Sequence, residues 1–244
     1  KGVYEAMTRI TALVMKFAPI GVFAIVTGTV AKTGLAALQP LAMFMLAVVL
    51  GLLTHAFVVL PLLLKLVARV PAFALHRAMA PALLTAFSTS SSNATLPLTM
   101  DCIENKAKVP RRVSGFVLPI GANVNTDGSA LYECVAAIFI AQAYGLELSF
   151  GAQFTVVALA LITAIGVAGI PSASLVAIAV ILSAIGLPLE GVGLILAVDR
   201  ILDMCRTALN VLGDSSATVT VARLSGEDGV LGQPALKVAK NLPS

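Results

Sequence analysis

The sequence predicts an all-α membrane protein in which transmembrane helices frame two opposed re-entrant helical hairpins. Three observations carry this. The 244 residues are 59% hydrophobic and 11% charged, with a mean hydropathy of +1.00, whereas a soluble domain carries about 25% charged residues. Apolar stretches near or above the roughly 20 residues that a helix needs to cross a bilayer recur along the chain. Two further apolar segments are interrupted by Gly, Pro and Ser, and the basic residues around them fall on one side of a membrane only if each segment turns back on itself.

Taken in order, the first expected span is 4–30 and the second 38–64. The first interrupted segment, 71–100 with its hairpin over 72–100, holds Ser88-Thr-Ser-Ser-Ser-Asn-Ala-Thr-Leu-Pro97. The third span, 113–142, is expected to break at Gly121-Ala-Asn-Val-Asn-Thr-Asp-Gly128. The second interrupted segment, 153–183, holds Gly166-Val-Ala-Gly-Ile-Pro-Ser-Ala-Ser174. A last span covers 191–222. Gly and Pro stop helices, and Ser competes for backbone hydrogen bonds.

Charge decides sidedness. Lys65, Arg69 and Arg77 precede the first interrupted segment or lie at its start, and Lys106, Lys108, Arg111 and Arg112 follow it. A crossing segment would put one cluster outside; a hairpin keeps both on the cytoplasmic side. The second is flanked by Glu147 and Glu190, which suits the outside. With both hairpins in place, Lys1, Arg9, Arg223, Lys237 and Lys240 also fall inside and only Lys32 outside. Irregular backbone at membrane depth needs protein or a water-filled cavity around it. Opposed broken helices near the midplane are how secondary transporters build binding sites. The net charge of +4 fits loop bias rather than a nucleic-acid surface. The chain starts at Lys1 and shows no signal-peptide pattern, so a longer protein with a preceding front half is expected. Cys102, Cys134 and Cys205 lack metal-type spacing and read as small apolar fillers.

Asp199, Asp203, Arg206, Asn210 and Asp214 are spaced 4, 3, 4 and 4 apart. At about 100° per residue they share a sector of roughly 80° on one helix face. Charged groups within a membrane helix mark a substrate or ion pathway; the alternative is an ion-pair ladder that holds helices together. Arg206 is a planar fork suited to a carboxylate, either an internal Asp or an anionic substrate. Asp203 neutralises it or receives a substrate ammonium. Arg200 lies about 100° off the face, so the face leans negative and suits a site that also binds cations. Asn125 and Asp127 with carbonyls of an unwound break make a hard oxygen site for a small cation, to which Asn210 and Asp214 could contribute; a plain Asx-rich turn is the alternative. Ser88–Ser92 offers hydroxyls and N–H groups to an anion at a hairpin tip, or is a serine-rich loop without ligand. Glu133 is a protonatable carboxyl in a span, or the partner of an unseen cation. His55, alone in an apolar span, reads as a hydrogen-bonded packing residue.

On these residues the chain resembles the dicarboxylate/amino acid:cation symporter family, which includes excitatory amino acid transporters and archaeal aspartate transporters. The matching strings are Ser90-Ser-Ser-Asn-Ala-Thr-Leu-Pro97, Gly121-Ala-Asn-Val-Asn-Thr-Asp-Gly-Ser-Ala-Leu-Tyr-Glu133, Ala168-Gly-Ile-Pro171 and Asp199-Arg-Ile-Leu-Asp-Met-Cys-Arg-Thr-Ala-Leu-Asn-Val-Leu-Gly-Asp214. The resemblance implies a homotrimeric elevator-type transporter of eight helices and two hairpins, with this chain starting at the fifth helix and the N-terminal helices missing. It divides the chain into a last scaffold helix (1–35), a transport domain (36–222) and a cytoplasmic tail (223–244). It puts the substrate between the hairpin tips, with Arg206 on the side-chain carboxylate, Asp203 on the amino group and Asn210 on the main carboxylate. Thr207, Ser129, Ile170, Ser174 and the tip serines Ser90, Ser91 and Ser92 line the pocket. Gly121, Asn125, Asn210 and Asp214 form one sodium site, and Asn125 and Asp127 contribute to another. Asn123 with carbonyls at Ala164, Ile165 and Val167 forms the one beneath the second hairpin, the outer gate. Glu133 stands where eukaryotic members carry a proton.

This sequence departs from the family at several points. Thr126 replaces a Met linked to sodium coupling. The first hairpin tip lacks the Arg of archaeal members, and Met204 stands where eukaryotic members carry that charge. Val167 and Ser174 differ from common hairpin residues. Arg200 follows the bacterial pattern, and Asp214 is kept where proton-coupled bacterial members have Asn. The expectation is a multi-pass protein of the cell membrane, not an enzyme. It is a symporter of L-glutamate or L-aspartate driven by Na+, with H+ as a further coupling ion. It needs no cofactor beyond the ion, and its partners are the acidic amino acid, Na+ and membrane lipid. The alternative is a C4-dicarboxylate:cation symporter. An intramembrane serine enzyme lacks a base near Ser90–Ser92, and a channel suits the paired charges less well than alternating access.

Overall fold

The computed structural model describes residues 38–166 and 171–236, together with isolated positions between 13 and 27. Most of the expected first span 4–30, Val167 and Ile170 of the second interrupted segment, and Lys237 and Lys240 lie outside the described residues. Every α-helix, π turn and 3-10 turn that follows belongs to a helical chain; no strand occurs among the described residues.

Helix α1 starts at Leu38–Thr54 and continues through a π turn at His55–Val59, then Leu60–Leu63, then a second π turn at Leu64–Ala68. Pro61 explains the first widening. It has no N–H, and its ring crowds the carbonyl four residues back, so the helix loosens ahead of it. The run Gln39–Ala68 contains an 18-residue window with a mean hydropathy of 2.5. At 1.5 Å per residue it is about 45 Å long, enough to cross a hydrocarbon layer of about 30 Å with tilt. Phe44, Val48 and Leu52 face the bundle at one-turn spacing, while Met43, Leu46 and Leu50 face outward.

Two helix pairs follow. In the first, α2 (Ala72–Thr89) ends where Ser90 turns left-handed, at φ 52°. Helix α3 (Ser92–Asp101) then starts with Ser91 as its N-cap, whose hydroxyl accepts from the Ala94 N–H at 3.2 Å. Next come α4 (Arg111–Val124) and α5 (Asp127–Ala143). Their break is narrower than the expected Gly121–Gly128. Only Asn125 and Thr126 leave the helix, with φ/ψ of −98°/73° and −108°/57°. Gly121 and Gly128 stay helical because their task is close approach. A Cβ on Gly121 would sit 2.8 Å from Asp214 Oδ1, and one on Gly128 would sit 3.0 Å from the Arg206 carbonyl. The second pair is α6 (Phe150–Gly166) and α7 (Ser174–Ala184), followed by α8 (Val192–Leu224), 33 residues long.

Helix α8 is the axis of the bundle, packed against α1, α2, α4 and α5. One apolar cluster joins the far end of α1 to α2–α4 and α8, and a second joins α1, α5, α7 and α8. Helix α8 runs on to Leu224, and Arg223 is buried. Its Nε donates to the Ala68 carbonyl at the end of α1 (3.1 Å), and its Nη1 donates to the Pro234 and Gln233 carbonyls (2.6 and 3.2 Å). A cation there also suits the negative end of the α1 dipole. Leu231 N–H donates to the Ala107 carbonyl at 2.9 Å, and Arg112 pairs with Glu227 at 2.7 Å, so residues 225–236 fold back on the base of the bundle.

Arg223→Ala removes these three bonds. It should cost on the order of 2–3 kcal/mol, read as a lower melting temperature, and should open 225–236 to limited proteolysis while the helices stay protected.

Candidate functional site

Asp199, Asp203, Arg206, Asn210 and Asp214 are all at most 6% exposed, and Arg206 is fully buried. Arg206 Nη2 donates to Asp203 Oδ1 at 2.7 Å and to Asp199 Oδ1 at 3.3 Å. Tyr132 of α5 donates its hydroxyl to the same Asp199 oxygen at 2.9 Å, and its ring lies 3.8 Å beneath the guanidinium carbon. A desolvated guanidinium on an aromatic face is held by the ring quadrupole as well as by its carboxylates. The other oxygen of Asp203 accepts the Ser172 N–H from the α6–α7 turn at 3.0 Å. Arg200 Nη1 stands 3.8 Å from that same oxygen. Spaced i,i+3, Arg200 reaches back to the face it was expected to miss, so this end of the face is close to neutral. Arg206 Nε and Nη1 are buried and have no hydrogen-bond partner among the described residues. Each of these N–H groups flanks the Nη2 that the aspartates hold, and each can give a charge-assisted bond to an anionic oxygen.

Two turns further along α8 the chemistry reverses sign. Asp214 is buried, and its side-chain bond is to Asn125 Nδ2 at 3.0 Å. No ion pair neutralises it among the described residues. A buried carboxylate without a counter-charge is costly, and a carboxylate oxygen is the donor type a small hard cation takes. Gly213 lets Asp127 and Asn125 close in: a Cβ there would lie 2.8 and 2.9 Å from the two Asp127 oxygens and 3.0 Å from Asn125 Nδ2. Asn210 joins the two regions. Its Oδ1 accepts the Gly128 N–H at 2.8 Å, and its Nδ2 donates to Ser129 Oγ at 3.2 Å. The Gly128 N–H, in the first turn of α5, is shared between Asn210 Oδ1 and Asp127 Oδ1, the latter at 3.1 Å.

The structure brings the other predicted residues together unevenly. Thr126 is buried and donates its hydroxyl to the Ala164 carbonyl at 2.7 Å, tying the break to the end of α6. Asn93 of α3 donates to Asn123 Oδ1 at 3.4 Å. Glu133 is fully buried; Thr163 donates to its Oε2 at 2.9 Å, and its Oε1 has no partner among the described residues. Thr207 donates to the Asp203 carbonyl at 2.9 Å. Ser90 is buried with a hydroxyl that has no partner among the described residues. No hydrogen bond joins Ser90 or Ser92 to Arg206 among the described residues. The Ile165 side chain points outward.

Sequence reasoning missed three contributors. Tyr132 beneath Arg206 was one; a phenol deep in an apolar stretch needs a polar partner, and that signal was available. Arg200 was another. The third is His55, which is hydrogen-bonded as expected, but to Asp127 Oδ2 at 2.7 Å.

Comparison with known sequences gives this geometry its context. Residues 1–224 match the sodium:dicarboxylate symporter family, and the chain belongs to that family. It is 45% identical over 225 residues to excitatory amino acid transporter 3 of Mus musculus, covering 92% of this chain and 43% of that protein. It is 46% identical over 224 residues to excitatory amino acid transporter 1 of Homo sapiens, covering 91% of this chain and 41% of that protein. The same identity holds for the Ambystoma tigrinum transporter 1. The chain thus spans less than half the length of these relatives. Its family is one of symporters, not of enzymes.

Gly213→Ala should drive a methyl group into Asp127 and Asn125 and cost about 1–3 kcal/mol. In thermal melts the loss should exceed that of an alanine at Gly193, which has open space around it.

Proposed function

We propose that the protein containing this chain is a secondary active symporter of acidic amino acids, L-glutamate or L-aspartate, driven by Na+ moving down its gradient. The observation that carries this is the buried Arg206 fork with Nε and Nη1 unpartnered beside Asp203. A substrate carboxylate takes a free donor of the fork. Asp203 then exchanges part of its bond to Arg206 for the substrate ammonium, so a zwitterion with an additional negative group satisfies both residues. Asn210, Thr207 and Ser129 bind the main carboxylate and line the pocket. The tip serines Ser90, Ser91 and Ser92 cover it from one side, and Ile170 and Ser174 from the other. The family's description and the names of the relatives support this class of substrate.

The unpaired Asp214, with Gly121, Asn125 and Asn210, holds one Na+. Asp127 with Asn125 serves a second, and Asn123 with carbonyls at Ala164, Ile165 and Val167 a third. Thr126 already donates to one of those carbonyls, and the second lone pair of that oxygen is open to the ion. Glu133, buried with one free oxygen, is the carrier for H+ as a further coupling ion. The α2–α3 and α6–α7 pairs act as re-entrant hairpins and, with α1, α4, α5 and α8, as the moving transport domain (36–222) of an elevator. Residues 1–35 are the scaffold helix, the segment from 223 onward is cytoplasmic, and the assembly is a homotrimer in the cell membrane.

Uptake by the reconstituted protein tests this. Labelled glutamate should enter vesicles only down an imposed Na+ gradient and saturate, and unlabelled succinate should compete weakly. Arg206→Ala should weaken acidic substrate binding by about 100-fold or more. Glutamate uptake unchanged in that variant, or succinate preferred over glutamate, contradicts the assignment.

A further inference from the structure

The proposed function leaves His55 unused, yet His55 touches one of the proposed cation ligands. Its Nε2 is 2.7 Å from Asp127 Oδ2. An ionised carboxylate only accepts hydrogen bonds, so Nε2 carries the hydrogen. The other Asp127 oxygen accepts the Gly128 N–H at 3.1 Å. These two bonds fix the carboxylate at both ends, and no other donor reaches it among the described residues.

The sequence shows why His55 is aimed there. It is the first residue of the π turn that Pro61 imposes on α1. Within that turn the Leu60 N–H donates to the His55 carbonyl, and Pro61 has no N–H to give to the Ala56 carbonyl. His76 of α2 faces that carbonyl, with Nε2 3.1 Å from Ala56 O and Nδ1 2.9 Å from the Ala72 carbonyl; a neutral ring donates to one of the two. The His76 ring is stacked near Phe57 of the same turn, with centroids 5.7 Å apart. A proline therefore opens the helix, one histidine packs against the carbonyl so exposed, and the other is presented to Asp127. Widened turns of this kind recur at functional sites because they re-aim a side chain without ending the helix. The pair borders a cavity of about 460 Å³ shared with Asn125, Gly213 and Thr220.

We propose that His55 is a positioning residue for the cation: it holds the Asp127 carboxylate in the orientation that binds Na+, and the Pro61–His76 turn holds His55. This rests on the reading of Asp127 as a cation ligand. Removing such an outer partner costs about 10–100-fold in metal affinity at other metal sites.

The test measures melting temperature against Na+ concentration in the purified protein, without substrate. His55→Met fills the space without an N–H and should raise the Na+ concentration for half-maximal stabilisation by about 10-fold. His55→Gln keeps a donor at the Nε2 position and should restore most of that affinity. A purely structural histidine would lower the Na+-free melting temperature and leave the Na+ midpoint alone. An unchanged midpoint in His55→Met overturns the proposal. Should His55→Met not fold, His76→Asn reads the same linkage from outside the pair and should shift the midpoint the same way; a parental midpoint there overturns it. Asp127→Asn separates the two levels. If it leaves the Na+ midpoint unchanged, Asp127 is not a cation ligand and the inference falls with that reading. If it shifts the midpoint and His55→Met does not, only the role of His55 is lost.

Discussion

A guanidinium sealed from water must find its counter-charge inside the protein, and Arg206 imposes that requirement on everything around it. Desolvating such a group costs several kcal/mol, recovered only with good geometry. Here α8 supplies two carboxylates on its own face, one and two turns before the arginine, and α5 supplies Tyr132 as an aromatic floor and as a donor to Asp199. The arrangement fixes the rotation of α8 within the bundle. It also fixes α5 against α8, since Tyr132, Ser129 and Gly128 all meet α8 side chains. What it leaves over is two buried donors, Nε and Nη1, on either side of the engaged Nη2.

The same helix carries the opposite imbalance two turns on. Asp214 is a carboxylate in want of a cation, eight residues and about 12 Å from a cation in want of an anion. Asn210 stands between them, and its amide is engaged with the first residues of α5 rather than with either charge. Any ion that draws on Asn125, Asp127 or Asn210 acts on the start of α5, which also carries Ser129 and Tyr132. In the proposed mechanism this is the physical link between ion and substrate: the two sites share one helix start and one amide. Neither needs to touch the other for occupancy of one to set the geometry of the other.

Much of this was legible in the residues themselves. The 4-3-4-4 spacing put five polar groups on one helix face, and all five are buried there. Interruption by Ser90–Ser92 marked the turn between two packed helices because a serine run offers both a tolerable left-handed residue and an N-cap. Other features depended on neighbours that a local pattern does not contain. The glycines at 121 and 128 looked like helix breakers but are contact points for Asp214, Asn210 and the α8 backbone. Arg200 was placed by its own Cβ direction, and its length let it reach Asp203. Arg223 looked like a tail charge, but the orphan carbonyl at the end of α1 drew it inside. His55 looked like filler because its partner lies 72 residues away, and the sign that it was more, Pro61 six residues on, only gains meaning once the widened turn is seen.

The most direct measurement is the structure of the protein with L-aspartate bound in the presence of Na+. The account predicts a ligand carboxylate oxygen about 3 Å from Arg206 Nε or Nη1, with the ligand ammonium against Asp203. A ligand bound elsewhere, with the guanidinium still facing only Asp199, Asp203 and Tyr132, would contradict it.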